Sequence, residues 1–263
     1  MTGKFLQTIY PINSSFQRIK PSAPLDVFIK CFWILEKKYT ASVPYEVIYP
    51  DGCVDLVFKW ENGQFTCFFV GPQTRSVRVR QSGNVTCFGI QFLPYGAFPF
   101  FAIPMNEFTG HICDPNDFLD TSFNEFIRRI PPYSVKNCIH DIEKFLTGRL
   151  LRGTLDLVQT MEAVKLIYQT TGSISICQLT DRVNLTRRTL ERKFESVIGI
   201  TPKELARIIR FNKVKNKLVQ NPGTNLTSLS YEFQYFDQSH FIRDFKQITG
   251  LTPSVFAQEM AAH

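Results

Sequence analysis

The sequence lacks any apolar run of the roughly 18 residues that a membrane-spanning helix needs. Its first segment, Met1 to Lys20, also lacks the basic stretch followed by an apolar stretch that is typical of a secretory signal peptide. Hydrophobic residues make up 44% and charged residues 20% of the 263 residues, values typical of a folded, soluble chain long enough for two domains. We therefore expect a cytoplasmic protein that does not associate with a membrane.

The cysteines show none of the spacings that give cysteine a structural role. There are seven, an odd number, and no two lie closer than 14 residues apart. This pattern excludes a compact disulfide framework and a Cys-x-x-Cys metal site. We interpret the cysteines as free thiols, mostly buried, and predict neither a metal site nor a cofactor.

The net charge of +7 is unevenly distributed along the chain. Residues 1–150 carry a surplus of two positive charges and residues 151–263 a surplus of five. The segment from Arg182 to Lys217 holds 11 basic and 3 acidic residues. Such a density of positive charge favours a polyanion as partner.

The first part of the chain has the alternation and turns of a β-rich domain. Val54–Trp60 and Gln64–Val70 are strand candidates that a hairpin turn joins. Arg75–Arg80 alternates polar and apolar residues with period two, and Val85–Phe92 runs back after a turn. We predict that these strands form a meander, with each strand beside the next.

Aromatic residues indicate where the core of this domain lies. Eighteen of the 25 phenylalanines and both tryptophans fall in residues 1–150, enough bulk to fill a small barrel or sandwich. Flanking helices are predicted at Asp26–Leu35, Ser122–Ile130 and Ser134–Leu146, the last of them after Pro131-Pro132.

A short linker bracketed by glycines, residues 147–154, separates this part from a helical part. We predict an α+β protein of two domains. Residues 1–150 form a β-rich sensor domain, and residues 151–263 form an all-α domain. In the second domain, residues 175–178 and 201–204 fit the capping box, so helices are predicted to begin near Ile176 and Pro202.

Two stretches of the helical part resemble each other, Leu179–Pro202 and Leu229–Pro253. Each reads as a short helix, a turn and a second helix, with apolar residues at matching positions. The offset between the copies is 50 residues before the turn and 51 after it, so one residue is inserted at a turn. This pattern describes two helix-turn-helix units, each able to place its second helix in the major groove of DNA.

The first unit has polar side chains where base readers are expected. Asn184 suits a left-handed turn, and Thr186 is the predicted cap of the second helix. Three residues share its outer face and have the chemistry to read bases: Arg188, Glu191 and Arg192. Alternatively, Glu191 pairs with a neighbouring arginine. Arg187 and Lys193 are candidates for phosphate contacts.

The second unit repeats the arrangement with different side chains. Asp237 is the predicted cap of its second helix. Four residues are predicted to read bases: Gln238, Ser239, His240 and Arg243. Lys246 lies further back, toward the phosphates. Alternatively, His240 is a hydrogen-bonded structural histidine.

A long helix, Pro202–Leu218, is predicted to join the two units as a stiff spacer. The reading helices then lie about 34 Å apart, one turn of B-DNA. One arc of the spacer is basic: Lys203, Arg207, Arg210, Lys213 and Lys217. We expect Arg207 and Arg210 in particular to face phosphates, although a solvated basic face is the alternative reading.

The helical part resembles the DNA-binding domain of the AraC/XylS family of bacterial transcription regulators. The resemblance covers about residues 155–258 and is most specific at Phe236–Phe241, followed by Arg243, Phe245, Lys246 and Gly250–Pro253. It implies two units that read adjacent major grooves, fused to a sensing or dimerising domain. The chain departs from the family at Gln234, where glycine is usual, and at Thr180 and Ser230, where alanine is usual. Gln234 is therefore expected to strain or reshape the second turn.

The first part resembles a domain of unknown function that occurs ahead of this DNA-binding module. Tyr49–Phe58, Val70–Thr74 and Phe88–Phe92 carry the resemblance, which covers about residues 9–119. By analogy it implies a cupin-like β fold that senses a small molecule. The expected partners are double-stranded DNA, a small-molecule effector, RNA polymerase and a second copy of the chain.

An enzyme is the first alternative. Asp51 and Asp55 straddle Gly52 and have the chemistry of an acid and a base, while Cys53 has that of a nucleophile. The same residues also fit an ordinary turn, and no histidine lies close in sequence to complete a Cys/His pair. The segment 111–114 offers a weak metal candidate. We predict that the chain is not an enzyme.

Two further alternatives keep DNA as the partner. A DNA-repair alkyl acceptor would join this module to a methyl-accepting cysteine domain, but the zinc-type cysteine spacing is missing. An architectural DNA-binding protein would need the basic helices but neither the two polar reading faces nor a domain of the size of residues 1–150.

Overall fold

A computed structural model describes residues 14–39, 45–130, 135–150 and 157–261. The proline pair at 131–132 and most of the predicted linker lie outside the described residues. The domain boundary between 150 and 151 falls at the edge of such a gap and stays a prediction.

The first part of the chain is built on a six-stranded antiparallel sheet and a separate two-stranded sheet. The strands are β1 (Ser14–Ile19), β2 (Ile29–Tyr39), β3 (Glu46–Ile48), β4 (Val54–Glu61), β5 (Gln64–Val70), β6 (Val77–Val79), β7 (Gly83–Phe92) and β8 (Ile112–Cys113). The large sheet has the order β1-β2-β7-β4-β5-β8, and β3 pairs with β6 in the small one. The prediction of a mostly-β first domain is confirmed.

The predicted meander is wrong, although its hairpin is right. β4 and β5 form the hairpin, with Glu61 opposite Gln64. β6 then leaves the sheet to pair with β3, and β7 inserts between β2 and β4. The insertion brings the aromatic rings of Phe32, Phe58 and Phe88 into stacks at 5.6–6.1 Å between centroids. Long-range packing of aromatic residues therefore overrides the local order of the strands.

The helix predicted at Asp26–Leu35 is also wrong. A single 3-10 turn at Leu25–Val27 precedes β2, which is 11 residues long. Apolar residues occupy nearly every position from Ile29 to Leu35, a pattern that fits a buried helix as well as a strand covered on both faces. Pairing with β1 on one side and β7 on the other decides for the strand.

Helices cover one face of the sheet. Phe98–Phe101 forms the short helix α1, Thr121–Arg128 forms α2, and Val135–Arg149 forms α3. Phe101 is buried against Phe69 and Phe92 of the sheet, and Phe123 is buried against Phe101. The helices predicted at Ser122–Ile130 and Ser134–Leu146 are confirmed as α2 and α3.

The second part is helical throughout, as predicted. Its helices are α4 (Val158–Gln169), α5 (Ile176–Val183), α6 (Arg187–Val197), α7 (Pro202–Gln220), α8 (Leu226–Glu232), α9 (Gln238–Thr249) and α10 (Pro253–Ala261). Both predicted capping boxes are formed, at Ser175 with Gln178 and at Thr201 with Glu204. None of the helices in the described ranges is long and apolar enough to cross a membrane.

The two parts share one continuous apolar core. It runs from the sheet through α4, α5 and α6 to the first half of α7, where Leu205 and Ile208 are fully buried. A second cluster surrounds the end of α7, α9 and α10, and Tyr49 of the first part packs against it. The ring of Tyr49 lies 6.0 Å from that of Phe211 and 5.9 Å from that of Phe256.

Candidate nucleic-acid interface

The first helix-turn-helix unit consists of α5, a tight turn and α6. Asn184 ends α5 with φ of 52°, the left-handed conformation predicted for it. The Thr186 hydroxyl accepts a hydrogen bond from the Thr189 amide and so caps α6. Leu190 and Phe194 are fully buried, which turns the opposite face of α6 to solvent.

The predicted base readers of this unit lie on that solvent face. Arg188 and Arg192 are exposed, whereas Glu191 and Lys193 are half-buried. Arg187 donates from Nε to the Glu191 carboxylate at 2.9 Å, so the alternative reading of Glu191 as an ion-pair partner is realised in this structure. An exposed pair one turn apart contributes only a few tenths of a kcal/mol to stability. The pair can therefore open at small cost.

The second unit consists of α8, its turn and α9. Asn225 caps α8 by accepting from the amides of Thr227 and Ser228, and Asp237 caps α9 by accepting from the His240 amide at 2.6 Å. The predicted readers and the predicted phosphate contact are all exposed: Gln238, Ser239, His240, Arg243 and Lys246. The His240 ring lies 5.5 Å from the Tyr235 ring, edge to face, while the residue stays open to solvent.

The turn of the second unit has the strain expected from its sequence. Gln234 has φ of 55°, nearly the value at Asn184. Asparagine adopts this left-handed conformation readily, whereas glutamine does so at a cost of about 1 kcal/mol. The turn keeps its shape because the Tyr235 amide still donates to the Ser230 carbonyl at 2.9 Å.

The spacer between the units is longer than predicted. α7 spans 19 residues, or about 28 Å. The Thr201 hydroxyl and the Glu204 carboxylate cap its first turn. α6 ends shortly before its first turn, and α9 packs on it through Phe211 and Phe245, whose ring centroids lie 5.2 Å apart.

Two arginines of the basic arc of α7 bind groups within the protein. They therefore do not face solvent, which is the placement that a phosphate contact would need. The Arg207 guanidinium pairs with the buried Asp244 at 3.5 Å and donates to Gln247 at 2.9 Å. Arg210 donates to the Gly172 carbonyl and lies over the Tyr235 ring, 5.1 Å from its centroid.

The other basic residues of this arc differ in whether they bind protein groups or face solvent. Lys217 forms an ion pair with Glu232 of α8. Lys203 and Lys213 are exposed. This placement favours Lys203 and Lys246 over Arg207 and Arg210 as contacts for phosphates.

Asp244 is a buried carboxylate that links the second unit to α7. It lies on α9, is 7% exposed, and accepts a hydrogen bond from the Tyr235 hydroxyl at 3.3 Å. Burial raises the pKa of this carboxyl group, and the Arg207 guanidinium opposes the rise. The arginine thus ties α7 to α9 through a charge that would otherwise be costly to bury.

Loops of the first domain form hydrogen bonds with the helical domain at several points. The Ser76 amide donates to the Ile248 carbonyl of α9 at 2.8 Å, and Thr109 donates through its hydroxyl to the Gly199 carbonyl after α6. Asn212 of α7 donates to the Pro50 carbonyl at 2.7 Å. The first domain therefore contacts the spacer and both helix-turn-helix units.

The residues considered for an enzyme form a polar cluster beside this contact. Lys30 pairs with Asp51 at 3.1 Å, and the Gln91 amide donates to Asp51 at 3.2 Å and to Asp55 at 3.4 Å. Burial and the neighbouring Asp51 carboxylate raise the pKa of the Cys53 thiol well above its usual range, so the thiol keeps its proton at neutral pH.

These contacts are those of a structural cluster. Each carboxylate has a partner within the protein, and a protonated thiol is a poor nucleophile. In the part of the chain that the structure describes, the histidine and acidic residues at 111–114 do not belong to any cluster of three or more metal-binding side chains.

One surface residue was missed by reasoning from the sequence. Phe236, directly before the α9 cap, is 90% exposed. The one-residue difference in offset between the two units is the sequence signal that could have located it. Contacts between the domains were missed as well, because no local pattern reports them.

Comparison with known proteins identifies both parts. Residues 17–114 match a domain of unknown function, DUF6597, and residues 179–259 match a helix-turn-helix domain. No curated protein matches the chain.

The similar solved structures include two of ToxT. ToxT from Vibrio cholerae O395 is 13% identical, with 95% of this chain and 99% of that chain covered and a TM-score of 0.43. A 1.65 Å structure of ToxT from Vibrio cholerae is 12% identical, with 93% and 98% covered and the same TM-score of 0.43. Identities and TM-scores this low support no conclusion about ligands or about the arrangement of the domains. The domain matches do carry one: the chain combines an N-terminal DUF6597 domain with a helix-turn-helix domain of the AraC type, and this combination supports a DNA-binding transcription regulator.

Proposed function

We propose that the chain is a sequence-specific transcription regulator that reads two adjacent major grooves with α6 and α9. One observation carries the proposal: both helices begin at a capped turn, bury one apolar face and present arginine side chains to solvent on the other, and α9 presents the amide of Gln238 as well. Arginine recognises guanine through O6 and N7, and glutamine recognises adenine through N6 and N7. Arg188, Arg192, Gln238 and Arg243 are the exposed side chains with this chemistry.

We also propose that the N-terminal domain controls this reading, through a small molecule or through dimerisation. Support comes from the hydrogen bonds that the loops at Ser76 and Thr109 make to the two units. A change in these loops alters the separation or angle of α6 and α9. RNA polymerase would be the downstream partner of a regulator of this kind.

Selection of bound sequences from a random DNA library tests the proposal. We expect a preferred site at which Arg188→Ala and Arg243→Ala each cost about 1–3 kcal/mol and relax the preference at one base pair. Lys246→Ala is the matched control from the same surface, and it should weaken binding to all sequences alike. Equal losses on selected and random DNA for the two arginine variants would contradict base reading by these residues.

The salt dependence of binding separates a regulator from an architectural protein. A regulator should prefer its selected site over random DNA by about a thousandfold or more at physiological salt. An architectural protein would show little preference, and its affinity would follow salt concentration alone. The measurement uses the full chain, because the two domains share a core.

A further inference from the structure

The turns of the two helix-turn-helix units can be superposed through their backbone hydrogen bonds. The Leu185 amide donates to the Thr180 carbonyl at 3.1 Å, and the Tyr235 amide donates to the Ser230 carbonyl at 2.9 Å. Leu185 therefore corresponds to Tyr235. In the first unit the next residue is the cap of the reading helix, Thr186, whereas in the second unit one residue intervenes before the cap. The inserted residue is Phe236.

The fold makes almost no use of the Phe236 side chain. It is 90% exposed, the largest value among the exposed large hydrophobic residues that the structure describes. Its neighbour Tyr235 is only 5% exposed and packs on Phe241, with 5.1 Å between the ring centroids. A hydrophobic residue before a helix cap often packs against the fourth residue of the helix, which is Phe241 here. Phe241 is instead covered by Tyr235, so the apolar ring of Phe236 remains in water.

The position of Phe236 suits contact with a base. It directly precedes the Asp237 cap, and Gln238, Ser239 and His240 follow as exposed residues of the first turn of α9. The N-terminal residues of a recognition helix are those that approach base edges in the major groove. Among the groups displayed in that groove, the 5-methyl group of thymine is the apolar one, and phenylalanine is among the residues that contact it.

We propose that Phe236 is a specificity-determining residue whose ring packs against the methyl group of a thymine in the half-site that α9 reads. This inference rests on the proposed function. The first unit has no equivalent residue, so methyl recognition by this route is confined to the half-site of the second unit. The insertion adds an apolar contact to a set of readers that is otherwise polar.

Thymine-to-uracil exchange tests this inference, because it removes the methyl group and keeps the hydrogen-bonding edge. Each thymine in the α9 half-site of the selected sequence is replaced in turn by deoxyuridine, and binding of the full chain is measured. We expect one replacement to weaken wild-type binding about fourfold, because this is the loss of affinity that corresponds to the free energy of burying one methyl group. The Phe236→Ala variant should bind the two DNAs equally, and its affinity for both should match that of the wild type for the uracil site.

Two further variants act as controls. Phe236→Leu keeps an apolar side chain and should retain most of the discrimination between thymine and uracil. Tyr231→Ala removes another exposed aromatic residue of the same unit, 74% exposed on α8, and should retain all of it. Thermal unfolding of each variant should match the wild type, because both aromatic side chains are largely in solvent.

The possible failures are distinguishable. A chain that selects no DNA sequence contradicts the proposed function and this inference with it. A chain that selects a sequence but binds thymine and uracil equally contradicts only the inference. A Phe236→Ala variant that keeps the wild-type discrimination, or that binds both DNAs as tightly as the wild type binds the thymine site, also contradicts it.

Discussion

At the residue scale, the turns of the two helix-turn-helix units share a left-handed backbone conformation but place different side chains in it. Asn184 and Gln234 both have a positive φ, 52° and 55°. A short amide side chain tolerates this conformation, and glycine tolerates it best, whereas the longer glutamine chain gains little from local hydrogen bonds. The second turn therefore holds conformational strain that the first does not.

Replacing Gln234 with glycine should relieve this strain. We expect Gln234→Gly to raise the free energy of unfolding by up to about 1 kcal/mol, because removal of the Cβ contact outweighs the added freedom of the unfolded chain. Asn184→Gly is the matched control and should give a smaller change or a loss. Chemical unfolding of both variants measures the difference, and a larger gain at position 184 would contradict the explanation.

At the scale of elements, α7 depends on buried charge as well as on apolar packing. Arg207 connects it to Asp244 of α9 and to the carbonyl of Thr74 in the first domain at 3.4 Å. The sequence placed Arg207 on a basic arc, and that position is compatible with either phosphate or protein as partner. Only the fold brings a buried carboxylate to it.

Arg207→Ala should therefore destabilise the protein in the absence of DNA. We expect a loss of about 2 kcal/mol or more, because the variant leaves Asp244 buried without its cation. Lys203→Ala, which changes an exposed cation of the same helix, should leave stability within about 0.5 kcal/mol of the wild type. Unfolding in urea distinguishes the two variants. An unchanged midpoint for Arg207→Ala would contradict the structural role of Arg207 and favour a phosphate contact instead.

Elements with a strong local signal were predicted well from the sequence, and those decided by distant contacts were not. The capped helices α5, α7 and α9 and the hairpin of β4 with β5 follow from spacing and turn chemistry. The strand at Ile29–Tyr39 and the place of β7 between β2 and β4 depend on pairing with segments far away in the chain. The exposed polar faces of α6 and α9 followed from the helical period, whereas the internal bonds of Arg207 and Arg210 could not be predicted from it.

At the scale of the whole molecule, the polar cluster at Lys30, Asp51 and Asp55 makes stability depend on pH. Burial acts to raise the pKa of Asp51, but the Lys30 ammonium and the hydrogen bond from the Cys53 amide together lower it below its usual value. Burial and the Asp51 carboxylate raise the pKa of Asp55 to about 7. Between its unfolded value near 3.8 and about 7, the folded protein keeps a proton on Asp55 that the unfolded chain has released. This group therefore lowers stability as the pH rises through that window.

Asp55→Asn should remove this dependence. We expect the wild type to lose up to about 1.4 kcal/mol of stability per pH unit through this group between pH 5 and pH 7, and the variant to show a flatter profile. Asp51 acts in the opposite direction and at lower pH, because its folded pKa is depressed, so the two contributions separate. Urea unfolding across this range measures them. A profile that is unchanged by Asp55→Asn would contradict the raised pKa.

The contacts at Gly199 and Ile248 have a consequence for how such a protein adapts. Each lies near the C-terminal end of one reading helix, and each is held by a loop of the β-rich domain, at Thr109 and Ser76. The placement of α6 and α9 relative to each other is thus constrained both by α7 and by these loops of the first domain. Under the proposed function, substitutions in those loops are expected to change the tolerated distance between half-sites while the proposed base-reading side chains stay the same.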